Sequence, residues 1–348
     1  DLNIYGGDWW IANQAMERSL SFAGYEVRHA WGDGGHDNSH ATEVFPEAME
    51  WLWSGWPAAP MRGQGSPQLQ EILLPGEEWR AVGDGHGAAT ALVADAAGGV
   101  SFVDSGSGAV WRVGPDGAAV AEPRGLSGPA RATTPAGGTV AVGRDDAALV
   151  GRDGDSAPRA LAHGWRGRDV VVDAVGRAYA TAAPAEGSAT GAVHIVHPDG
   201  RAARIDLEIR NPTGICLSPD QTLVYVADGD GRWVWSYSVD PDGQLSNGQR
   251  YYHLHQPDDA GAGAAGLAVD RDGRLWVATR MGLQICDQAG RVNAIVPVPS
   301  GSAEDICIGG PEGDLVHVAG GGRMYTRRVK PRAASPFLAP ITPPKPRL

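Results

Sequence analysis

Positive charge is scarce in this chain: 29 Lys and Arg stand against 41 Asp and Glu, for a formal charge of −12. That balance excludes a nucleic-acid partner, because phosphate binding needs a concentration of cations that is absent here. Long apolar runs are missing too. No stretch of 18 apolar residues occurs, so the sequence predicts no membrane-spanning helix. Cysteine is limited to Cys216, Cys286 and Cys307, each inside an apolar strand-like run and none in CxxC spacing. This excludes a disulfide framework or a thiolate metal site and predicts three buried free thiols. Long helices are disfavoured as well: 50 Gly and 25 Pro, with 7% aromatics, favour many short elements joined by tight turns. The one basic cluster, RRVKPR from Arg327 to Arg332, reads as a solvated exit strand. The chain starts at Asp1 with neither Met nor leader, which fits a mature or truncated form and leaves a secreted or periplasmic location open.

What is present changes along the chain. Residues 1–57 hold six of the twelve Trp and read helix, strand, helix. DWWIANQAMERSLSFAG has Asp8 as its N-cap and Gly24 as its stop, with Trp9, Ala12, Met16, Leu20 and Ala23 at helical spacing, which predicts one buried face. YEVRHAW is the expected strand and HATEVFPEAMEWLW the second helix. Residues 58–68, PAAPMRGQGSP, form a linker without period, and residues 331–348 a Pro-rich tail.

Between them, residues 69–330 repeat one motif: an apolar strand, an Asp/Gly turn, a second apolar strand, and often a third ending in a PDG-like turn. LVADAAGGVSFVDSGSGAVWRVGPDG and GICLSPDQTLVYVADGDGRWVWSYSVDPDG are two of six copies, and a third begins RATTPAGG. The turn positions Gly98, Gly138, Gly176, Thr222, Gly273 and Gly313 are 40, 38, 46, 51 and 40 residues apart. Three or four short strands per such period predict an all-β, six-bladed propeller, because one such unit cannot bury both faces alone. LQEILL, Leu69 to Leu74, is the expected closing strand of the ring. In this architecture each blade's innermost strand lines a central channel. Thr90, Arg168, Thr213, Ala265 and Asp305 therefore stand at the channel mouth.

NPTGICLSPDQTLVYVAD, followed by WVWSYSVDPDGQLSNGQ and AAGLAVDRDGRLWVAT, resembles the senescence marker protein, gluconolactonase and regucalcin family of six-bladed propellers. The resemblance implies a divalent cation, Ca²⁺ or Zn²⁺, in the channel and hydrolysis of sugar lactones, the ion polarising the carbonyl. It also implies the ligands: a Glu in a TEGP-like segment, an Asn in a PNG-like segment and an Asp in a DG-like segment, with a further Asn in an ND pair beside the substrate. Carried over position by position, these become Thr90 in ATAL, Thr213 in PTG, Ala265 in AG and Arg168 in RD. All four have changed. Three neutral side chains and a guanidinium predict that the usual metal site is absent, so no cofactor is expected. Asp169, Asp305 and the pair Asp258 and Asp259 are candidates for substitute oxygens, with Ca²⁺ or Zn²⁺ as the cofactor in that alternative. Asp228, Gly229 and Asp230 read as a blade turn rather than a calcium loop.

DLNIYGGDWW, then GYEVRHAWGDGGHDNSH, resembles the last part of an α/β-hydrolase esterase of the enterochelin and feruloyl esterase kind. The resemblance implies His36 as a triad histidine, with His40 competing in the same loop and Asp1 near the acid position. No GxSxG occurs, so the chain has no serine elbow. Together these readings predict an accessory or binding propeller for a small sugar-like or anionic ligand, linked to carbohydrate-ester processing. The missing esterase part or a second chain is its expected protein partner. The alternative is a metal-dependent lactone hydrolase with a rearranged site.

Overall fold

The computed structural model describes residues 8–22, 25–32, 38–57, 67–83, 86–114, 117–123, 125–143, 147–154, 156–258 and 260–345. The chain divides into two compact units, Asp1–Glu71 and Ile72–Leu348.

The first unit is helical. Trp9–Phe22 and Ser39–Trp53 form α1 and α2, and Asp8 caps α1 by accepting the Ile11 N–H on Oδ1 at 3.1 Å. Two expectations fail here. YEVRHAW forms no strand, because a strand needs a ladder partner and none exists for it among the described residues. Neither helix buries a residue: Met16, Phe45 and Leu52 are 60%, 60% and 64% exposed. Helical spacing gathers apolar side chains on one face, but only a packed partner can cover that face. Local ties hold the segment: the Arg28–Glu47 ion pair, His29 to Glu17 at 3.0 Å, and Trp10 against Trp31 at 4.8 Å. The linker falls largely on residues outside the described ones.

The second unit is a closed ring of six four-stranded antiparallel sheets. The innermost strands, in blade order, are Ala89–Ala94, Arg131–Thr133, Gly167–Val172, Pro212–Leu217, Leu267–Val269 and Asp305–Gly309. Each packs on the next, and the sixth returns to the first. The core lies between blades. One cluster joins Val171, Tyr179, Val193 and Ile195 of the third blade to Ile215, Leu217, Val224 and Trp235 of the fourth. Another joins Leu92, Val100 and Phe102 of the first to Cys307, Ala319 and Met324 of the sixth. The turn glycines of the repeat serve backbone geometry: Gly176 and Gly273 sit at φ +88° and +79°, where a Cβ would be strained. All three cysteines are free and buried, and among the described residues no helix is long and apolar enough to cross a membrane.

Closure differs from the sequence expectation. Pro67–Ile72 is a short helix, α3, which takes up most of LQEILL. Pro at the first helical position and the Gln, Leu and Glu that follow favour that helix, and only Leu73 reaches the sheet, bridging Val329. The closing strand is Arg80–Ala81, which pairs with Arg323–Arg328 of the sixth blade. Arg327 and Arg328 of the basic cluster end that sixth-blade strand, and Val329 to Arg332 lead out of it. The tail crosses the end of the channel where the innermost strands finish. Ala334 N–H donates to Val269 O at 3.0 Å, Gln221 Nε2 donates to Pro336 O at 2.7 Å, and Phe337 is buried.

Candidate functional site at the channel mouth

Three innermost strands are irregular where they enter the channel. Register slips occur between Thr90 and Val93, between Gly167 and Asp169, and between Pro212 and Ile215. A bulge bends its strand and re-aims the side chains beside it. Ala91, in the first of them, holds a left-handed φ of +53° that residues with a Cβ seldom adopt. The outcome is one cavity of about 200 Å³ at the mouth, which brings together Thr90, Arg168, Asp169, Thr213, Ala265 and Asp305. All six channel positions named from the sequence therefore meet. Arg131 and Glu304 line the same cavity.

The hydroxyls and the guanidinium at the rim differ in their partners. Thr213 Oγ1 donates to Ala264 O at 2.7 Å, across to the fifth blade. Thr90 has no side-chain hydrogen bond among the described residues, and Arg168 is exposed with no ion pair among them.

Below the rim, two carboxyl groups repeat one arrangement. Asp169 accepts the Val170 N–H on Oδ1 at 2.8 Å and the Ile215 N–H on Oδ2 at 2.9 Å. Asp305 accepts the Ile306 N–H on Oδ1 and the Leu92 N–H on Oδ2, both at 2.8 Å. Each acid thus fastens its blade to the next one, two residues beyond a mouth threonine: Thr213 in one case, Thr90 in the other. The third and sixth blades face each other across a six-membered ring, so the channel has approximate two-fold symmetry at this level. Burial pushes the Asp169 carboxyl up to about 7, helped by the charge of Asp305. Burial likewise raises Asp305 to about 6, against the pull of its N–H partners and of Arg131.

Arg131 was not anticipated as a site residue. It heads the second blade's innermost strand, where the copy RATTPAGG begins with a charge while most copies begin apolar, and that was the available signal. Its guanidinium is buried and donates to Ala91 O from Nη2 at 3.2 Å and Nε at 3.3 Å, and from Nη2 to Ser101 Oγ at 3.0 Å. Burial lowers its pKa to about 10. The strained Ala91 peptide is therefore gripped through its carbonyl by Arg131, while Asp305 holds the next N–H.

Asp169, Asp305 and Arg131 also border a second cavity of about 120 Å³ deeper in the channel, walled by Cys216, Cys307 and Leu217 and covered by Ala333–Phe337. The tail thus forms one wall of the channel at this end. Other candidates lie elsewhere. Asp258 is taken by Arg280 in a two-pronged ion pair at 2.6 and 2.7 Å and lies outside the mouth cavity. Asp230 accepts from Asn211 and its N–H bonds to Asp228, as a blade turn does. His40 bonds to Ala30 O at 3.1 Å within the helical unit. His36, Asp1 and Asp259 lie outside the described residues. Among the described residues, no group of three His, Cys, Asp or Glu is placed to share a metal ion.

Residues 88–319 match the region described as SMP-30/gluconolactonase/LRE-like. A gluconolactonase of Zymomonas mobilis is 27% identical over 138 residues, which are 38% of this chain and 39% of that protein. The chain thus spans well under half the length of the curated relative it matches. A gluconolactonase from Xanthomonas campestris has a TM-score of 0.64 at 21% identity, over 76% of this chain and 93% of that one. A calcium-binding regucalcin from Agrobacterium tumefaciens has a TM-score of 0.61 at 18% identity, over 76% of this chain and 97% of that one. At these identities the structural likeness is one of fold.

Proposed function

We propose, from the premise that this chain belongs to the SMP-30/gluconolactonase/LRE-like family, that its propeller binds a small hydroxyl-rich or anionic ligand without the divalent cation of that family. In this reading it is an accessory module of a carbohydrate-ester-processing protein. The observation that carries the reading is the mouth cavity itself: Thr90, Arg168, Thr213 and Ala265 converge there, and none brings negative charge. A dehydrated divalent ion needs several oxygen ligands with carboxylate charge among them. Ala265 has no side-chain donor atom, the Thr213 hydroxyl is directed at Ala264 O, and Arg168 repels a cation. Asp169 and Asp305 each already accept two backbone N–H groups, and burial favours their neutral forms. Glu304, the remaining acid of the cavity, is one charged ligand alone, fewer than a hard divalent ion needs, so these residues do not fit one.

Elemental analysis and calorimetric titration with Ca²⁺ and Zn²⁺ test this. No stoichiometric metal and background lactone hydrolysis are expected. A tightly held channel ion, or lactone turnover abolished by a chelator, would instead establish a hydrolase with a rearranged site, the reading that two carboxyl groups in one cavity favour.

The same proposal assigns residues 1–57 to the C-terminal piece of an esterase-like α/β-hydrolase and residues 69–330 to the propeller. The GDGGH loop with His36 supports the first assignment, as do two helices whose apolar faces have no core of their own.

A further inference from the structure

We infer that the propeller takes an amphiphilic ligand: a hydroxyl-rich head at the mouth, joined through an oxygen to a short apolar chain that fills the cavity beneath. The inference rests on the ligand-binding reading above and names the class of ligand.

The two cavities are stacked along one channel. A strand advances about 3.3 Å per residue, so order along an innermost strand gives depth in the channel. On the first blade Thr90 lines the mouth cavity, Leu92 lines both, and Ala94 lines the deeper one. Ala130, Arg131 and Thr133 repeat that sequence on the second blade, and Glu304, Asp305 and Cys307 on the sixth. The cavities therefore meet at the level of Leu92, Arg131, Asp169 and Asp305.

Chemistry changes across that level. Above it, Thr90 and Arg168 offer a hydroxyl and a guanidinium that have no side-chain partner among the described residues. Below it, Val171, Leu217, Leu267, Ile308 and Phe337 help to wall about 120 Å³. Sugar hydroxyls lose hydrogen bonds against such walls, whereas a carbon chain gains by leaving water. An apolar cavity of about 150 Å³ takes up benzene, so this one has room for about five or six chain carbons.

At the junction, most polar groups are tied to the wall. Asp169 and Asp305 accept backbone N–H groups on both oxygens. Arg131, only 6% exposed, commits Nε and Nη2 to Ala91 O and Ser101 Oγ, but its Nη1 has no hydrogen-bond partner among the described residues. A buried donor left unmatched is costly. The oxygen that links head to chain is the acceptor this level calls for.

The test is calorimetric titration of the whole chain with alkyl β-glucosides carrying methyl, propyl, pentyl, hexyl and octyl chains, each below its micelle concentration. Affinity should rise about fourfold per added methylene up to pentyl or hexyl. It should rise no further at octyl, because the cavity is then full. Ala268→Leu, on the wall of the deeper cavity alone, should move that break to shorter chains. Ser335→Leu fills the same cavity from the tail and should do likewise, so the test stands if one variant does not fold. Equal affinity for methyl and hexyl glucosides overturns the inference while leaving a ligand-binding mouth in place. A rise that continues through octyl, or a break that folded variants do not move, also overturns it, because the chains then sit on exposed apolar surface such as that of α1 and α2. Binding of none of the glucosides and of no sodium gluconate overturns the ligand-binding reading and the inference with it.

Discussion

Replacing Asp169 and Asp305 together by Asn should reverse the stability order of the variant and the unaltered chain as pH rises. A carboxyl whose folded-state pKa lies above its unfolded value holds its proton more tightly in the native chain. Its contribution to stability is full below the unfolded value near 3.8, declines as pH rises, and levels off above the folded value. For Asp169, moving from 3.8 to about 7 corresponds to roughly 4 kcal/mol at about 1.4 kcal/mol per pH unit. For Asp305, 3.8 to about 6 corresponds to roughly 3 kcal/mol on the same scale. Part of the Asp169 cost is repulsion by Asp305, so the pair together loses on the order of 5 kcal/mol between pH 4 and pH 8. Asn resembles the neutral acid but turns an NH₂ toward one backbone N–H, which costs about 1 kcal/mol per site at every pH. The double variant should therefore be about 2 kcal/mol less stable near pH 4 and about 3 kcal/mol more stable near pH 8, with the lines crossing between. Urea unfolding of both proteins, followed by tryptophan fluorescence across that range, measures the difference directly. A difference independent of pH, or one that grows in favour of the unaltered chain toward pH 8, would refute the reasoning.

Restoring Thr90→Glu, Arg168→Asn, Thr213→Asn and Ala265→Asp together should bring cation binding to a Kd on the order of 10⁻⁴ M or tighter by calorimetry. Each single change should do little, because metal ligands act as a unit. Phe337→Ala should destabilise the propeller by about 3 kcal/mol in a calorimetric melt, as expected for truncating a buried aromatic. It should also raise the reaction rate of Cys216 and Cys307 with a thiol reagent, since both line the cavity that the tail covers; an unchanged rate would mean the tail does not guard that end. The chain should show no p-nitrophenyl ester turnover, and turnover that disappears on His36→Ala would contradict the reading of the helical unit.

Period and turn chemistry determined the architecture without any structure. A six-fold recurrence of short apolar strands near 40-residue spacing, punctuated by glycines such as Gly176 and Gly273, permits only ring packing of neighbouring blades. The same pattern located the mouth, because the start of each innermost strand has a fixed place in a propeller. Tertiary structure decided the rest, for reasons that local sequence does not encode. YEVRHAW has the residues of a strand but no ladder partner among the described residues, and α1 and α2 have the spacing of buried helices but bury none of their described residues. LQEILL yielded to Arg80–Ala81 because ring closure depends on which backbone meets the edge of Arg323–Arg328, not on which is most apolar. The pairing of Asp169 with Asp305 joins positions 136 residues apart through a two-fold relation among blades, and Arg131 matters because it grips the carbonyl of Ala91, 40 residues away. Periodicity specifies which strands come together, whereas charges, strained peptides and the tail across the channel take their meaning from groups that only the closed ring brings into reach.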